Sequence, residues 1–192
     1  DRDGSSRHAT FLTVVRCARL WAKRRGLYSN KFGYFGGVNL NILVCLVCQL
    51  YPRASPSFLL TRFFKLMKAW KWPNPVRLVP YTVSRGKLVE WNPRGERERY
   101  QVMPIITPAY PAMNSMYAAN WYTLTIMREE FERGWEICQK IEDSGGKGWE
   151  ELFEPSDFFA RYSHYLAVDI IASSENEFRA WKGFVSSRLR KL

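Results

Sequence analysis

Apolar positions recur at helical spacing from the start of the chain. Phe11, Leu12, Val14, Val15, Ala18, Leu20, Trp21 and Ala22 repeat at three- and four-residue intervals, which predicts a helix from Arg7 to Arg25 that stops at Gly26. Gly36-Gly37 opens a second helix, from about Val38 to Tyr51. It is apolar over most of its circumference, which places it in the core, and Pro52 ends it. Ser55-Pro56 starts a third, with proline in the first turn where its missing N–H costs nothing. The run Phe58, Leu59, Phe63, Phe64, Leu66, Met67, Trp70 carries it to the break at Trp72-Pro73-Asn74-Pro75.

Residues 73–115 lose the helical period. They are rich in proline and hold short β-type runs at Arg77–Val79 and Lys87–Trp91, so an irregular segment draped over the helices is expected. Asn114-Ser115 is placed as the cap of a fourth helix of about 116–142, in which Ile126, Phe131, Trp135, Ile137 and Ile141 form an apolar stripe opposite five acids. Asp143-Ser-Gly-Gly-Lys-Gly148 reads as a linker. After it come a helical piece around Trp149–Tyr162, a strand at Tyr165–Ile171 and an amphipathic helix from Glu175 to about Arg190. One strand makes no sheet, so this second unit is expected to continue past Leu192 or to pair outside the chain. The expected fold is a mainly α domain over 1–142, a helical bundle with an irregular Pro-rich segment, then a linker at 143–148. Residues 149–192 would begin an α+β unit.

Composition narrows the class. With 46% hydrophobic and 24% charged residues the chain suits a packed globular protein rather than a disordered one. The longest apolar stretch, Asn41–Leu50, is too short to cross a bilayer, and Asp1–Arg7 lacks the apolar centre of a signal peptide, so no membrane partner and no export are expected. Cys45-x-x-Cys48 has the spacing of a metal or redox pair. No second pair follows, and only His8 and His164 could help, so the four cysteines read as buried thiols.

Charge is unevenly placed. The net charge is +11, yet residues 127–157 hold four Lys/Arg against ten acids, whereas residues 1–31 hold eight against two. A basic body separated from a basic tail by one acidic helix attracts phosphate-bearing partners.

The densest chemistry lies in Arg19-Leu-Trp-Ala-Lys-Arg-Arg-Gly-Leu-Tyr-Ser-Asn30 and the following Phe32–Val38. Cations end one helix, a turn carries a phenol and an amide, and two glycines head the next helix. That arrangement suits a nucleoside triphosphate: the cations and the Tyr28 hydroxyl for phosphate oxygens, glycines for close approach of a base, a valine for a purine face. The same cations also suit a helix dipole with no ligand. Gly33-x-x-Gly36-Gly37 is neither a Walker loop nor a dinucleotide fingerprint, because no strand precedes it and no Lys-Ser/Thr follows.

The blocks Leu20–Asn30, Gly36–Val38, Cys48–Pro52, Trp70–Val76, Trp91–Pro93 and Met103–Pro111 together closely resemble the central domain of eukaryotic nuclear poly(A) polymerases. Asn114-Ser115, Glu129–Phe131, Phe158-Phe159 and Tyr162–Tyr165 continue the likeness in order. The resemblance implies a nuclear, template-independent polynucleotide adenylyltransferase that adds AMP from ATP to the 3′ end of pre-mRNA. Its catalytic Asp residues, with Mg2+ or Mn2+, would lie in a domain upstream of Asp1. The fragment alone would then be inactive. Expected partners are RNA, ATP and cleavage/polyadenylation factors.

By the same resemblance Arg19 and Tyr28 meet the triphosphate, with Arg19 standing where the family usually has Lys. Asn30, Gly36, Gly37 and Val38 lie at the adenine. Lys23, Arg24 and Arg25 are the expected RNA or phosphate contacts, and no metal ligand or catalytic group is expected within these residues. The region from Trp149 would begin a ferredoxin-like, RRM-like RNA-binding domain. A non-catalytic basic RNA-binding scaffold and a terminal transferase with another nucleotide preference stay open as alternatives. Tyr162, His164 and Tyr165 are read as core rather than as RNA-stacking groups, and Glu129-Glu130 as surface charge.

Overall fold

The structure, a computed structural model, describes residues 2–80 and 88–189. Four long helices build the body: α1 (Arg2–Arg24), α2 (Gly37–Leu50), α3 (Pro56–Ala69) and α4 (Trp121–Asp143). Three more follow, α5 (Trp149–Leu152), α6 (Phe158–Arg161) and α7 (Glu175–Arg188). The expected mainly helical fold is present. No helix among the described residues is long and apolar enough to cross a membrane.

An aromatic cluster holds the body together. Trp21 of α1, Phe35 of the α1–α2 connection, Phe63 and Phe64 of α3, and Phe131 of α4 are all fully buried. Trp21 stacks on Phe131 at 5.5 Å and meets Phe64 edge-on at 5.0 Å. Rings of this size supply much of the area removed from water, and their offset and edge contacts fix the relative rotation of three helices. Phe35 is the ring that shapes the α1–α2 turn, because burying it pulls the whole connection onto the bundle.

Residues 70–80 and 88–116 drape over the helices as mostly irregular chain. Among the described residues this segment has only isolated bridges, Val76 with Ile105 and Ile106 with Asn114. Of the β-type run Lys87–Trp91, Lys87 lies outside the described residues. Its described part reaches Trp91, whose N–H donates to Ala112 at 2.7 Å.

Several boundaries differ from the sequence reading. The fourth helix begins at Trp121, not near 116. Asn120 caps it, the Asn120 carboxamide oxygen accepting the Thr123 N–H at 2.9 Å and the Thr123 hydroxyl accepting the Asn120 N–H at 3.0 Å. Asn114 is occupied elsewhere: its oxygen accepts from the Ile105 and Met116 amides at 2.9 and 2.8 Å, pinning the irregular segment. The loop 143–148 leads into α5, which returns to α4 and buries Leu152 in the common core.

The Tyr165–Ile171 strand is not formed. Among the described residues nothing pairs with it, and Tyr165, Leu166, Val168 and Ile171 are exposed. A lone extended segment has no ladder to satisfy its backbone groups, so an α+β second unit is not seen among the described residues.

Candidate nucleotide-binding site

The site is built where α1 ends and α2 begins. α1 closes with Lys23 and Arg24 in its last turn, and the chain reverses at Gly26, whose φ of 72° lies in the left-handed region. The Leu27 N–H reaches back to the Ala22 carbonyl at 2.7 Å, and the buried Leu27 side chain turns Tyr28 alongside the helix it has just left. A short 3-10 turn, Asn30–Phe32, leads to Gly33 (φ 83°) and to the Phe35 anchor. At Gly33 any Cβ would stand 2.8 Å from the Ala118 carbonyl oxygen, so the turn has no room for a side chain there.

Three of the expected residues come together. A Cβ built on Gly37, the first residue of α2, would lie 3.2 Å from Arg19 Nη2 and 3.2 Å from the Tyr28 hydroxyl. The guanidinium from α1 and the phenol from the turn therefore converge on bare backbone at a helix N-terminus. The first amides of α2 lack intrahelical partners, and the helix dipole adds positive potential at the same point. Asn41, one turn into α2, accepts from Arg19 Nη2 at 2.9 Å and aims the group. Arg19 Nε is buried with no hydrogen-bond partner among the described residues. Lys23 Nζ stands 5.3 Å from the centre of the Tyr28 ring, a second cation beside the first. Val38 follows Gly37 and is 55% exposed, an apolar face offered to solvent beside a cationic corner.

Asn30 has a different environment. Its amide nitrogen donates to the Ser115 carbonyl at 3.1 Å and lies 3.5 Å from Asn39 Oδ1. Asn39 accepts the Gly36 N–H through the same oxygen and donates to the Ser115 hydroxyl at 2.7 Å, which in turn donates to the Ile105 carbonyl at 2.7 Å. This chain of amides ties the turn, the start of α2 and the irregular segment into one unit. The sequence reading missed Asn39, Asn41 and the bracing by Ser115. A signal existed: two asparagines inside an otherwise apolar helix need partners, and Asn39 is almost wholly buried.

The three expected phosphate contacts divide. Lys23 and Arg24 are exposed. Arg25 is not available as a free cation: its Nε and Nη2 grip the Glu130 carboxylate at 2.8 and 2.9 Å, and Nη1 donates to the Glu154 carbonyl at 3.1 Å. Arg25 is 12% exposed and Glu130 only 3%, so the expectation of surface charge is corrected for Glu130, while Glu129 is exposed as expected. Glu130 is the buried hub of an ion network that α1 and α4 share.

Tyr162 and Tyr165, expected in the core, instead form an exposed aromatic group with Phe158 and Phe159, ring centres 5.3–6.3 Å apart. Burial pushes the Cys17, Cys45 and Cys48 thiols above their ordinary value, which disfavours the thiolate that metal or redox chemistry requires. Among the described residues no three His, Cys, Asp or Glu side chains come together as a metal-binding group.

Comparison with known proteins places the chain in a family. The model of the poly(A) polymerase central domain matches residues 10–155. The chain belongs to the poly(A) polymerase family. A second model, described as the poly(A) polymerase predicted RNA binding domain, matches residues 157–192. Nuclear poly(A) polymerase 1 of Arabidopsis thaliana is 49% identical over 183 residues, 95% of this chain and 26% of that protein. Nuclear poly(A) polymerase 2 of the same plant is 48% identical over 183 residues, 95% of this chain and 23% of its own length. The poly(A) polymerase of Dictyostelium discoideum is 45% identical over 185 residues, again 95% of this chain and 22% of that protein. The chain thus spans about a quarter of the length of these curated relatives. The Arg19–Tyr28–Gly37 corner lies wholly within the part matched to the poly(A) polymerase central domain.

Proposed function

We propose that this chain is part of a nuclear, template-independent poly(A) polymerase, in which the α1–α2 corner receives the ATP that donates AMP to the 3′ end of pre-mRNA. The observation that carries the reading is the convergence of Arg19 and Tyr28 on the bare backbone of Gly37. Arg19, aimed by Asn41, and the Tyr28 hydroxyl contact triphosphate oxygens. Lys23 and Arg24 add positive potential on the approach side. Gly36 and Gly37 leave room for the adenine, Val38 packs on its ring, and Asn30 holds the turn in place at the base's edge.

In this role the chain binds and orients. Fixing the triphosphate in line with an RNA 3′-hydroxyl supplies proximity, while fixed cations stabilise charge that builds on the phosphates. The divalent ion, Mg2+ or Mn2+, would neutralise phosphate charge when bound, and its ligands come from outside the described residues. Residues 157–192 contribute to RNA binding, with Tyr165–Ile171 becoming a strand of an α+β unit once a neighbouring strand pairs with it. The family matches, which end at residue 155 and resume at 157, support a division between the two units just beyond α5 rather than at 143–148. Cleavage and polyadenylation factors are the proposed protein partners.

Steady-state kinetics of the full-length enzyme test this reading. Tyr28→Phe removes one charge-assisted hydrogen bond, worth about 1.5–3 kcal/mol, so kcat/KM for ATP should fall roughly ten- to a hundredfold. Val38→Arg, which replaces the apolar face, should raise KM for ATP with little change in melting temperature. Wild-type ATP kinetics in the Val38→Arg enzyme would remove the adenine from this corner. Competition among the four nucleoside triphosphates measures the base preference.

A further inference from the structure

Arg161 sits in the segment matched to the RNA-binding unit, yet its side chain belongs electrostatically to the other one. Its Nη1 donates to Glu130 Oε1 at 2.9 Å and its Nη2 to Glu129 Oε2 at 2.7 Å, both on α4. Glu130 is also held through both its oxygens by Arg25, just past the end of α1, whose Nη2 shares Oε1 with Arg161. Two further bonds, one of them from the Arg25 side chain, tie the chain just ahead of this unit to the end of α1. The Ser156 N–H donates to the Arg24 carbonyl at 2.9 Å, and Arg25 Nη1 donates to the Glu154 carbonyl. Tyr162, the next residue along from Arg161, approaches Tyr34 of the α1–α2 turn closely enough to help burial raise the Tyr34 hydroxyl's pKa.

We propose that Arg161 is a positioning residue: its planar fork, straddling Glu129 and Glu130, docks the RNA-binding unit at a set angle on the helix that ends in the nucleotide corner. The charges fit this role. Arg25 and Arg161 both bond Glu130, and Arg133 of α4 also bears on it, so the carboxylate is well compensated although it is almost wholly removed from water. Removing Arg161 leaves Glu130 gripped by Arg25, so the helical body keeps its own buried pair and only the contact across the seam is lost. A lysine has one compact ammonium and cannot hold both carboxylates in one plane. α6 and the exposed Phe158, Phe159 and Tyr165 rings beside it are thereby held at a constant distance from Lys23 and Arg24, the cations beside the nucleotide corner.

What this docking does to substrate rests on the polymerase reading, so the test carries one readout that does not. In the full-length protein, Arg161→Met should speed amide exchange across residues 156–162 while leaving α1–α4 protected. This result is independent of any activity. In the same variant KM for an RNA primer should rise about tenfold, the size expected for losing charge-assisted bonds at a partly exposed site, with KM for ATP within about twofold of wild type. Arg161→Lys should fall between the two. Unchanged exchange, or an unchanged KM for RNA, overturns the proposal. So does a fall in melting temperature accompanied by equal losses for both substrates, since that would make Arg161 a support of the fold alone. A wild-type enzyme that fails to transfer AMP refutes the polymerase reading instead, and leaves the exchange result to judge the docking.

Discussion

Replacing Gly134 with alanine would put a methyl group where α3 and α4 approach most closely. Glycine inside a long helix is unfavourable by about 1 kcal/mol relative to alanine, so on propensity alone the change should stabilise α4. The packing says the reverse. A Cβ at 134 would fall into the Phe64 ring, with even Cγ of that ring only 2.9 Å away. The ring cannot swing clear cheaply, because Trp21 meets it edge-on at 5.0 Å and Phe63 at 5.2 Å. Overpacking of this kind costs about 1–3 kcal/mol, and a collision with a ring locked on two sides belongs at the upper end. Subtracting the helical gain leaves a net loss of about 2 kcal/mol, or roughly 4–8 °C in Tm for a chain of this size. Thermal and urea melts of the chain measure it. Gly183→Ala in exposed α7, where nothing lies within 4 Å of an added Cβ, is the control and should not lower Tm. Pairing Gly134→Ala with Phe64→Leu should recover part of the loss relative to Phe64→Leu alone. A Gly134→Ala chain as stable as wild type would refute the claim that this glycine exists to admit Phe64.

Two further predictions concern buried groups. Glu130→Ala leaves Arg25 desolvated without its carboxylate and should cost about 3–5 kcal/mol in urea melts, far more than the near-zero effect of Glu132→Ala, whose partner Lys68 is partly exposed. Burial raises the Cys138 thiol from 9.0 to about 11. The unfolded chain therefore releases this proton first, and stability falls as pH rises from 9 towards 11. Melts at about pH 8 and about pH 10 should show a steeper loss in wild type than in Cys138→Ala, and equal losses would refute the shift.

Much of the body was legible because its determinants are local. The spacing of Phe11 to Ala22 and of Phe58 to Trp70 encodes amphipathic helices, Gly26 and Pro52 mark where α1 and α2 stop, and α2 shows its burial by being apolar over most of its circumference. The Arg19–Val38 stretch could be singled out because its residue types and order carry the chemistry. Where reading failed, the deciding partner lay outside the local helical pattern. Asn114 has the chemistry of a cap, but its oxygen is claimed by Ile105 and Met116, so α4 waits for Asn120. Tyr165–Ile171 has strand composition, yet composition cannot supply the neighbour a ladder requires.

The sequence by itself determined the helices, their apolar faces and the residue types available to a nucleotide, since these depend on neighbours within a few positions. Only the tertiary structure decided which charges are free. Arg19 and Lys23 on α1 and Arg25 just past its end look alike in sequence, but the chain turns about 100° per residue along a helix. That rotation sends Arg19 to Gly37 while Arg25 meets Glu130, 105 residues away. Long-range pairing of this kind has no local signature, because it depends on where the packed aromatic rings bring α4 alongside α1.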